Sequence, residues 1–202
     1  MSEPLACWEY PAPCVRAYFY KRGCVVGAES SGTTTLAVAL AAHYNTVWVP
    51  EYGRAYSEAK MRRLDAGAWR SEEFVHIARE QCRRENEAAR KANRLLVCDT
   101  DAFATTIWHE RYVGTPSQAV AAVAGGCRPD LYVLTDVDIP FVQDGTRDGE
   151  HLRRWMHDRF IAELTAQGRP YIVVSGGHDA RLHAAIQSIE ARVLRRRETS
   201  PS

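Results

Sequence analysis

Short apolar runs alternate with longer amphipathic stretches along the chain. The apolar runs cover residues 23–27, 46–50, 94–98, 130–135 and 171–175, and Gly, Pro, Asp or Asn residues flank them. Continuous apolar runs of this length are typical of strands that are buried on both faces of a parallel sheet. The pattern therefore predicts five parallel strands.

The stretches between the apolar runs predict helices, which cover residues 32–43, 71–93, 101–112, 116–125, 148–167 and 179–196. The clearest begins at Ser71 and places Phe74, Ala78 and Cys82 on one face. Because strands and helices alternate, we expect one three-layer α/β domain with right-handed crossovers. This domain is expected over residues 21–196, between an irregular N-terminal arm (residues 1–20) and a disordered tail (residues 197–202).

Composition narrows the class of protein. The chain has 202 residues and a formal net charge of +1, a balance that does not suggest binding to nucleic acid or to a membrane surface. It has no apolar run of about 18 residues that could span a bilayer, and its N-terminus lacks the pattern of a secretory signal. The six cysteines include no CxxC pair, so we expect neither a zinc cluster nor a disulfide framework. These features predict a cytoplasmic protein and are compatible with a homo-oligomer.

Residues 25–37, VVGAESSGTTTLA, are close to a phosphate-binding loop. Two glycines with four residues between them, followed by hydroxyl side chains, fit the frame GxxxxGK[ST], except that Thr33 stands at the lysine position. Glycines let the backbone curl so that its N–H groups point inward, and the following helix adds a partial positive charge. The predicted nucleotide-binding residues are Gly27, Glu29, Ser30, Ser31, Gly32, Thr33, Thr34 and Thr35. The alternative is a glycine-rich turn that binds no ligand.

Two acidic residues follow the third predicted strand, where ligands of open parallel sheets lie. Asp99 comes directly after the apolar run, and with Thr34 it is predicted to organise Mg²⁺ beside the phosphates. Asp101 is two residues further on and is expected to reach an acceptor hydroxyl.

The second predicted strand ends in a similar way. Glu51 and Arg54 come just after it, so Glu51 could orient or deprotonate an acceptor hydroxyl from the other side of the cleft. The alternative is that these two side chains only pair with each other on a loop.

A basic segment after the fourth strand could close over the phosphates. Residues 143–156 contain a glycine-rich turn followed by arginines, which is typical of a lid. Arg147, next to the turn, is the predicted catalytic cation that compensates for Thr33. For Arg153, Arg154 and Arg159 a solvated helix face is an equal alternative.

Aromatic side chains near the predicted cleft could stack on a flat ring. Trp108 follows Asp101 on the same predicted helix, and Tyr52 and Tyr56 follow Glu51. Core packing is the alternative for Trp108. The seven histidines show no metal-ligand spacing, and no nucleophile-elbow motif supports a serine hydrolase.

Taken together, four segments resemble the ribosylnicotinamide kinase domain of the NadR-type proteins, a group of P-loop kinases that is AAA ATPase-like. These segments are VVGAESSGTTTLA, VPEYGRAY, LLVCDTDAFATTIWHERYVG and QDGTR. The resemblance extends from about residue 22 to about residue 190.

The resemblance implies a P-loop NTPase fold with a parallel five-stranded sheet ordered 2-3-1-4-5. It also implies transfer of a phosphoryl group from ATP, with Mg²⁺, to the 5′-hydroxyl of nicotinamide riboside, which gives nicotinamide mononucleotide. In that reaction Glu51 resembles the base, Asp99 and Asp101 match a DTD element, and Arg147 matches the lid arginine. The expected substrate-binding residues are Glu51, Tyr52, Arg54, Asp101, Trp108 and Tyr112.

Two departures from the family pattern keep other functions open. Thr33 replaces a lysine, and only about twenty residues precede the kinase-like part, so no adenylyltransferase activity is expected. One alternative is a kinase for another nucleoside-like substrate. The other is a non-catalytic regulator that binds ATP or a pyridine nucleotide, which Thr33 favours and the retained Glu51 and Asp99 disfavour.

Overall fold

The computed structural model describes residues 20–62, 67–142 and 150–194. Its five strands are β1 (Lys21–Gly27), β2 (Trp48–Val49), β3 (Leu95–Asp99), β4 (Leu131–Thr135) and β5 (Tyr171–Val174). They form one parallel sheet in the order β2-β3-β1-β4-β5. The predicted parallel five-stranded sheet and its order 2-3-1-4-5 are therefore confirmed.

Seven α-helices connect and cover these strands within the described residues. They are α1 (Thr33–His43), α2 (Tyr52–Met61), α3 (Ser71–Ala89), α4 (Ala102–Val113), α5 (Gln118–Gly125), α6 (Arg153–Ala166) and α7 (His178–Ile189). A 3₁₀ turn (Glu150–Leu152) leads into α6, and a π-helical turn (Glu190–Leu194) follows α7.

Helix α2 is absent from the sequence-based interpretation, which treats the segment after the second strand as a loop. None of its residues is buried, so it has no apolar stripe from which a helical period could be recognised. Charged pairs along its exposed side, Arg54–Glu58 and Arg62–Glu58, support it instead.

The sheet separates two apolar layers. In β3, Leu96 and Cys98 pack into one layer, whereas Leu95 and Val97 pack into the other. All five residues of β3 and of β4 are buried, as expected for central strands that are covered by helices on both faces. The core therefore holds the carboxyl ends of the central strands in a fixed position.

The parallel register brings two predicted site segments together. Asp99, the last residue of β3, lies opposite Val25 of β1, two residues before Gly27. The loop after β1 and the carboxylate after β3 therefore share one edge of the sheet.

The predicted arm (residues 1–20), apart from Tyr20, and the predicted tail (residues 197–202) lie outside the described residues. The lid prediction (residues 143–156) also lies outside them as far as residue 149. Within the described ranges, none of the helices combines the length and the apolar character needed to cross a membrane.

Candidate functional site

The loop between β1 and α1 has a curled backbone that only certain residues permit. A Cβ atom on Gly27 would lie 2.1 Å from the hydroxyl oxygen of Thr135, so no side chain fits at this position. Ser30 and Gly32 have positive φ angles of 55° and 84°, a conformation that glycine adopts without strain. Helix α1 begins at Thr33, directly after Gly32, so its N-terminus and partial positive charge face the hollow of the loop.

Two buried arginines donate hydrogen bonds to the loop from the protein interior. Arg181 donates to the carbonyl oxygen of Ser31 at 2.5 Å, and Arg153 donates to that of Ser30 at 3.3 Å. The sequence predicts that Arg153 lies either in a lid or on a solvated helix face. In the structure Arg153 is buried against the loop. These bonds satisfy loop carbonyl groups on the side away from the cleft.

Ser31 supports the loop rather than lining it. Its hydroxyl donates to the carbonyl oxygen of Ala28 at 2.7 Å and lies 2.6 Å from the hydroxyl of Thr135. The side chain is buried and does not line the cleft, so any contact between Ser31 and a nucleotide would involve its backbone.

Thr34 and Asp99 form the candidate metal site. The Thr34 hydroxyl donates to Asp99 Oδ2 at 2.6 Å. The other oxygen, Oδ1, is buried and has no hydrogen-bond partner among the described residues. Burial raises the pKa of Asp99, although the Thr34 hydrogen bond, a weaker contact with the Thr33 hydroxyl and the charge of Arg54 act in the opposite direction.

Thr34 and Asp99 suit a Mg²⁺ ion that is bound together with a nucleotide. No group of three or more His, Cys, Asp or Glu residues within the described ranges could hold a metal. A hydroxyl and one carboxylate are nevertheless sufficient, because Mg²⁺ takes most of its ligands from water and from substrate phosphates. The unsatisfied Asp99 oxygen supplies the acceptor that such an ion or its water would need.

A cleft extends from the phosphate loop to helices α2, α3 and α4. Glu51, which directly precedes α2, and Arg54 on α2 both line this cleft. The lining residues are Gly27, Ala28, Glu29, Ser30, Gly32, Thr33, Thr34, Thr35, Glu51, Gly53, Arg54, Ser57, Trp69, Phe74, Ile77, Gln81, Thr100, Thr105, Trp108 and Tyr112. Arg54 is the cationic residue that the described part of the chain contributes to this lining.

Gln81 fixes the position of the helix that carries Arg54. Its Oε1 atom accepts a hydrogen bond from the backbone N–H of Tyr52 at 3.0 Å, and its Nε2 atom donates to the carbonyl oxygen of Thr100 at 3.3 Å. Sequence reasoning missed Gln81, although a glutamine among the apolar positions of α3 was a recognisable signal. It ties the start of α2 to the end of β3.

An aromatic cluster forms the far wall of the cleft. The ring of Trp69 lies 5.1 Å from that of Phe74 and 5.4 Å from that of Tyr112, and Trp108 stacks on Tyr112 at 6.3 Å. Trp108 and Tyr112 therefore lie where the sequence suggests, whereas Trp69 and Phe74 were missed. The indole N–H of Trp108 is buried without a hydrogen-bond partner among the described residues.

Arg111 connects the aromatic wall to the phosphate loop. Its guanidinium lies 4.7 Å from the ring centre of Tyr112 and 5.2 Å from that of Trp108. The same group donates to Glu29 Oε1 at 2.5 Å, and both side chains are largely buried. Arg111 therefore links Glu29 of the loop to the aromatic cluster that lines the cleft.

The structure places two predicted substrate-binding residues elsewhere. The Tyr52 hydroxyl lies 3.1 Å from Nε2 of His76, and the ring packs under Arg84 outside the cleft lining. Asp101 is completely buried, where it caps α4 through the N–H of Ala104 at 2.9 Å.

The reason for the placement of Asp101 is the turn at Thr100. Thr100 has a φ angle of 68°, which turns the chain at the end of β3 and leaves Asp101 at the start of α4. There Asp101 accepts a hydrogen bond from the buried hydroxyl of Tyr132 at 2.7 Å. The prediction that Asp101 reaches an acceptor hydroxyl is wrong for this structure. Arg147, the predicted lid arginine, lies outside the described residues.

Comparison with known proteins places these observations in a family. A sequence model of the AAA domain matches residues 22–181. The trifunctional NAD biosynthesis/regulator proteins NadR of Salmonella typhimurium and Escherichia coli are 30% and 32% identical over 164 residues, which are 81% of this chain and 40% of each NadR protein. The chain thus spans about 40% of the length of these curated relatives.

The fold is shared with a solved NadR structure. The crystal structure of a NadR protein in complex with NR superimposes with a TM-score of 0.79 at 23% sequence identity. The match covers 96% of this chain and 57% of that protein.

Proposed function

The chain belongs to the AAA domain family, and we propose that it is an ATP- and Mg²⁺-dependent kinase that phosphorylates the 5′-hydroxyl of nicotinamide riboside. The observation that carries the proposal is the contact between Thr34 and Asp99 at the mouth of the phosphate loop, with an unsatisfied Asp99 oxygen beside it. The resemblance to NadR proteins, one of which was crystallised with NR, supports the choice of acceptor.

The phosphate end of the cleft would hold the triphosphate of ATP. The curled loop and the N-terminus of α1 offer N–H groups and a partial positive charge to phosphate oxygens. Thr34 and Asp99 would hold Mg²⁺, which neutralises phosphate charge when it is bound. Gly27 lets the loop pack closely against Thr135, because a Cβ atom there would collide with the Thr135 hydroxyl.

The other end of the cleft suits a flat ring attached to a sugar. Trp69, Trp108 and Tyr112 offer aromatic faces for stacking on a pyridine ring. Glu51 lies in the same lining, where it can accept the proton of the 5′-hydroxyl as the hydroxyl oxygen attacks the terminal phosphorus. The new O–P bond forms while the bond from phosphorus to the ADP oxygen breaks.

Arg54 takes part of the role that a loop lysine has in other kinases. It lines the cleft, and its positive charge acts on Asp99. A cation at this position stabilises the negative charge that develops on the transferred phosphoryl group. Arg147 remains a second candidate for this role.

The direct test uses the full chain with ATP, Mg²⁺ and nicotinamide riboside, and measures ADP and nicotinamide mononucleotide. Adenosine, thymidine and uridine serve as competing acceptors, and the Asp99→Asn variant serves as the matched inactive control. We expect nicotinamide mononucleotide from the wild-type chain only in the presence of Mg²⁺.

Two results would contradict the proposal in different ways. Turnover with a nucleoside but not with nicotinamide riboside would contradict the proposed acceptor and support the proposed kinase activity. Tight binding of an ATP analogue, with no ADP formed from any acceptor, would favour the non-catalytic regulator that Thr33 suggests.

A further inference from the structure

Two cysteines outside the cleft lining lie within reach of each other. Cys82 is on α3 and Cys127 follows α5, and their sulfur atoms are 2.8 Å apart although 45 positions separate them in the chain. Both are free thiols, and neither lines the cleft. The fold therefore brings the two sulfur atoms to a distance from which a disulfide of about 2.05 Å needs only a small movement.

Cys127 also lines a second surface depression. The other residues of this depression are Tyr20, Arg22, Asn86, Gly126, Arg128 and Asp130. Cys127 is itself buried, and its charged neighbours in this lining are Arg22, Arg128 and Asp130.

Cys127 has charged neighbours that favour its thiolate. The contact with the Cys82 sulfur and, after it, the charge of Arg22 act to lower the pKa of Cys127, whereas burial acts in the opposite direction. Burial instead raises the pKa of Cys24 and of Cys98, and hydrogen bonding to Cys127 raises that of Cys82. Thiolates and not thiols react with oxidants, so we assign the first reaction to Cys127, which shares the lining of the depression with Arg22 and Arg128.

We propose that Cys82 and Cys127 form a reversible redox site, in which a hydroperoxide oxidises Cys127 and Cys82 then closes a disulfide. In the first step, with hydrogen peroxide as the hydroperoxide, the Cys127 thiolate attacks one peroxide oxygen, so that an S–O bond forms, the O–O bond breaks and hydroxide leaves. In the second step the Cys82 sulfur attacks the sulfenic sulfur of Cys127, the S–O bond breaks, and the departing hydroxide takes the Cys82 proton as water. Two thiols thus lose two electrons while the peroxide is reduced.

The disulfide would connect α3 to the segment that follows α5. Helix α3 also carries Phe74, Ile77 and Gln81, which line the cleft. Oxidation would therefore fix the helix that forms one wall of the acceptor region. The redox site itself does not depend on which substrate the cleft binds.

The test begins with the wild-type chain, so it does not depend on a variant that folds. The reduced protein is treated with hydrogen peroxide, blocked with an alkylating reagent, digested without reductant and mapped by mass spectrometry. We expect one linked peptide pair, Cys82 with Cys127, which dithiothreitol separates. A wild-type chain that shows no such pair, or that pairs either cysteine with Cys7, Cys14, Cys24 or Cys98 instead, overturns the proposal.

Two matched variants test the order of the steps. In Cys82→Ser the sulfenic acid on Cys127 has no resolving partner, so dimedone should label Cys127. In Cys127→Ser the remaining Cys82 should stay unlabelled under the same treatment. The double variant Cys7→Ser/Cys14→Ser keeps both partners and should form the same linked peptide as the wild type. Dimedone on Cys82 in Cys127→Ser, at the level found on Cys127 in Cys82→Ser, would overturn the assigned roles.

Discussion

Thr34 donates a 2.6 Å hydrogen bond to one carboxylate oxygen of Asp99, while the other oxygen of Asp99 is buried without a partner among the described residues. A buried carboxylate with an unsatisfied oxygen costs stability, and burial accordingly raises the pKa of Asp99. Such a cost is retained where the charge is needed, which is the case for a residue that organises Mg²⁺.

Asp99→Asn should therefore stabilise the apo chain and inactivate it. Asparagine keeps the shape and the contact to Thr34 but removes the buried charge. We expect the free energy of unfolding without Mg²⁺ to rise by about 1 kcal/mol and turnover to fall by about 100-fold. Urea denaturation and the assay for nicotinamide mononucleotide measure the two effects. A variant that is less stable and fully active would remove Asp99 from the metal site.

The same substitution should change the dependence of stability on pH. Because the folded state holds the Asp99 proton to a higher pH than the unfolded chain does, folding loses stability as the pH rises from about 4 through the raised pKa. Asp99→Asn lacks this loss. The difference in unfolding free energy between variant and wild type should thus grow with pH over this interval, and a constant difference would contradict the assignment.

Much of this site could be predicted from local sequence. The strands around Gly27 and Asp99 are continuous apolar runs, and the glycine spacing of the loop is a local signal, so both elements were recognisable. Parallel sheets bring the carboxyl ends of neighbouring strands together, and this is sufficient to place Asp99 beside the loop.

The missed features depend on contacts between distant segments. Helix α2 has no buried face, and Trp69 and Gln81 reach the cleft only because α3 packs against α4 and α2. The prediction for Asp101 failed for a local reason. The positive φ angle of Thr100 turns the chain, and threonine is a residue type from which such a φ angle is not expected.

Asp101→Ala should reduce stability rather than acceptor binding. The substitution removes the cap on the N–H of Ala104 and the acceptor of the buried Tyr132 hydroxyl. We expect a loss of about 2–4 kcal/mol in the free energy of unfolding. Asp101→Asn retains an acceptor oxygen and should lose less. An intact stability with a raised KM for the acceptor would restore the prediction that Asp101 faces the substrate.

Arg54→Ala should lower turnover, and a lysine at position 33 should partly restore it. Arg54 is the cation that the described residues bring into the cleft lining, and its loss should cost about 100-fold in kcat. If its charge replaces that of a loop lysine, Thr33→Lys in the Arg54→Ala background should recover about tenfold. Thr33→Ala in the same background adds no charge and is the matched control. Equal rates for the two double variants would show that Arg54 acts in another way.

Glu73→Gln should weaken acceptor binding without slowing the chemical step. Lys60 donates to both carboxylate oxygens of Glu73, at 2.8 and 2.7 Å, and its ammonium group lies 4.6 Å from the ring centre of Trp69. Glu73 therefore positions Trp69 in the aromatic wall through Lys60. We expect the KM for nicotinamide riboside to rise by about 5-fold with kcat nearly unchanged, because positioning of the ring affects ground state and transition state alike.

Glu72→Gln is the matched control for this prediction, since Glu72 lies in the same helical turn but is exposed. Burial acts to raise the pKa of Glu73, but hydrogen bonds from Lys60, the Arg70 N–H and Tyr56 lower it overall. The contribution of Glu73 to stability is therefore present above its unfolded pKa and is lost as the pH falls through the lowered value. Glu73→Gln should flatten this acid limb of the stability profile, whereas Glu72→Gln should not. If both variants raise the KM equally, the ion pair with Lys60 does not hold Trp69 in place.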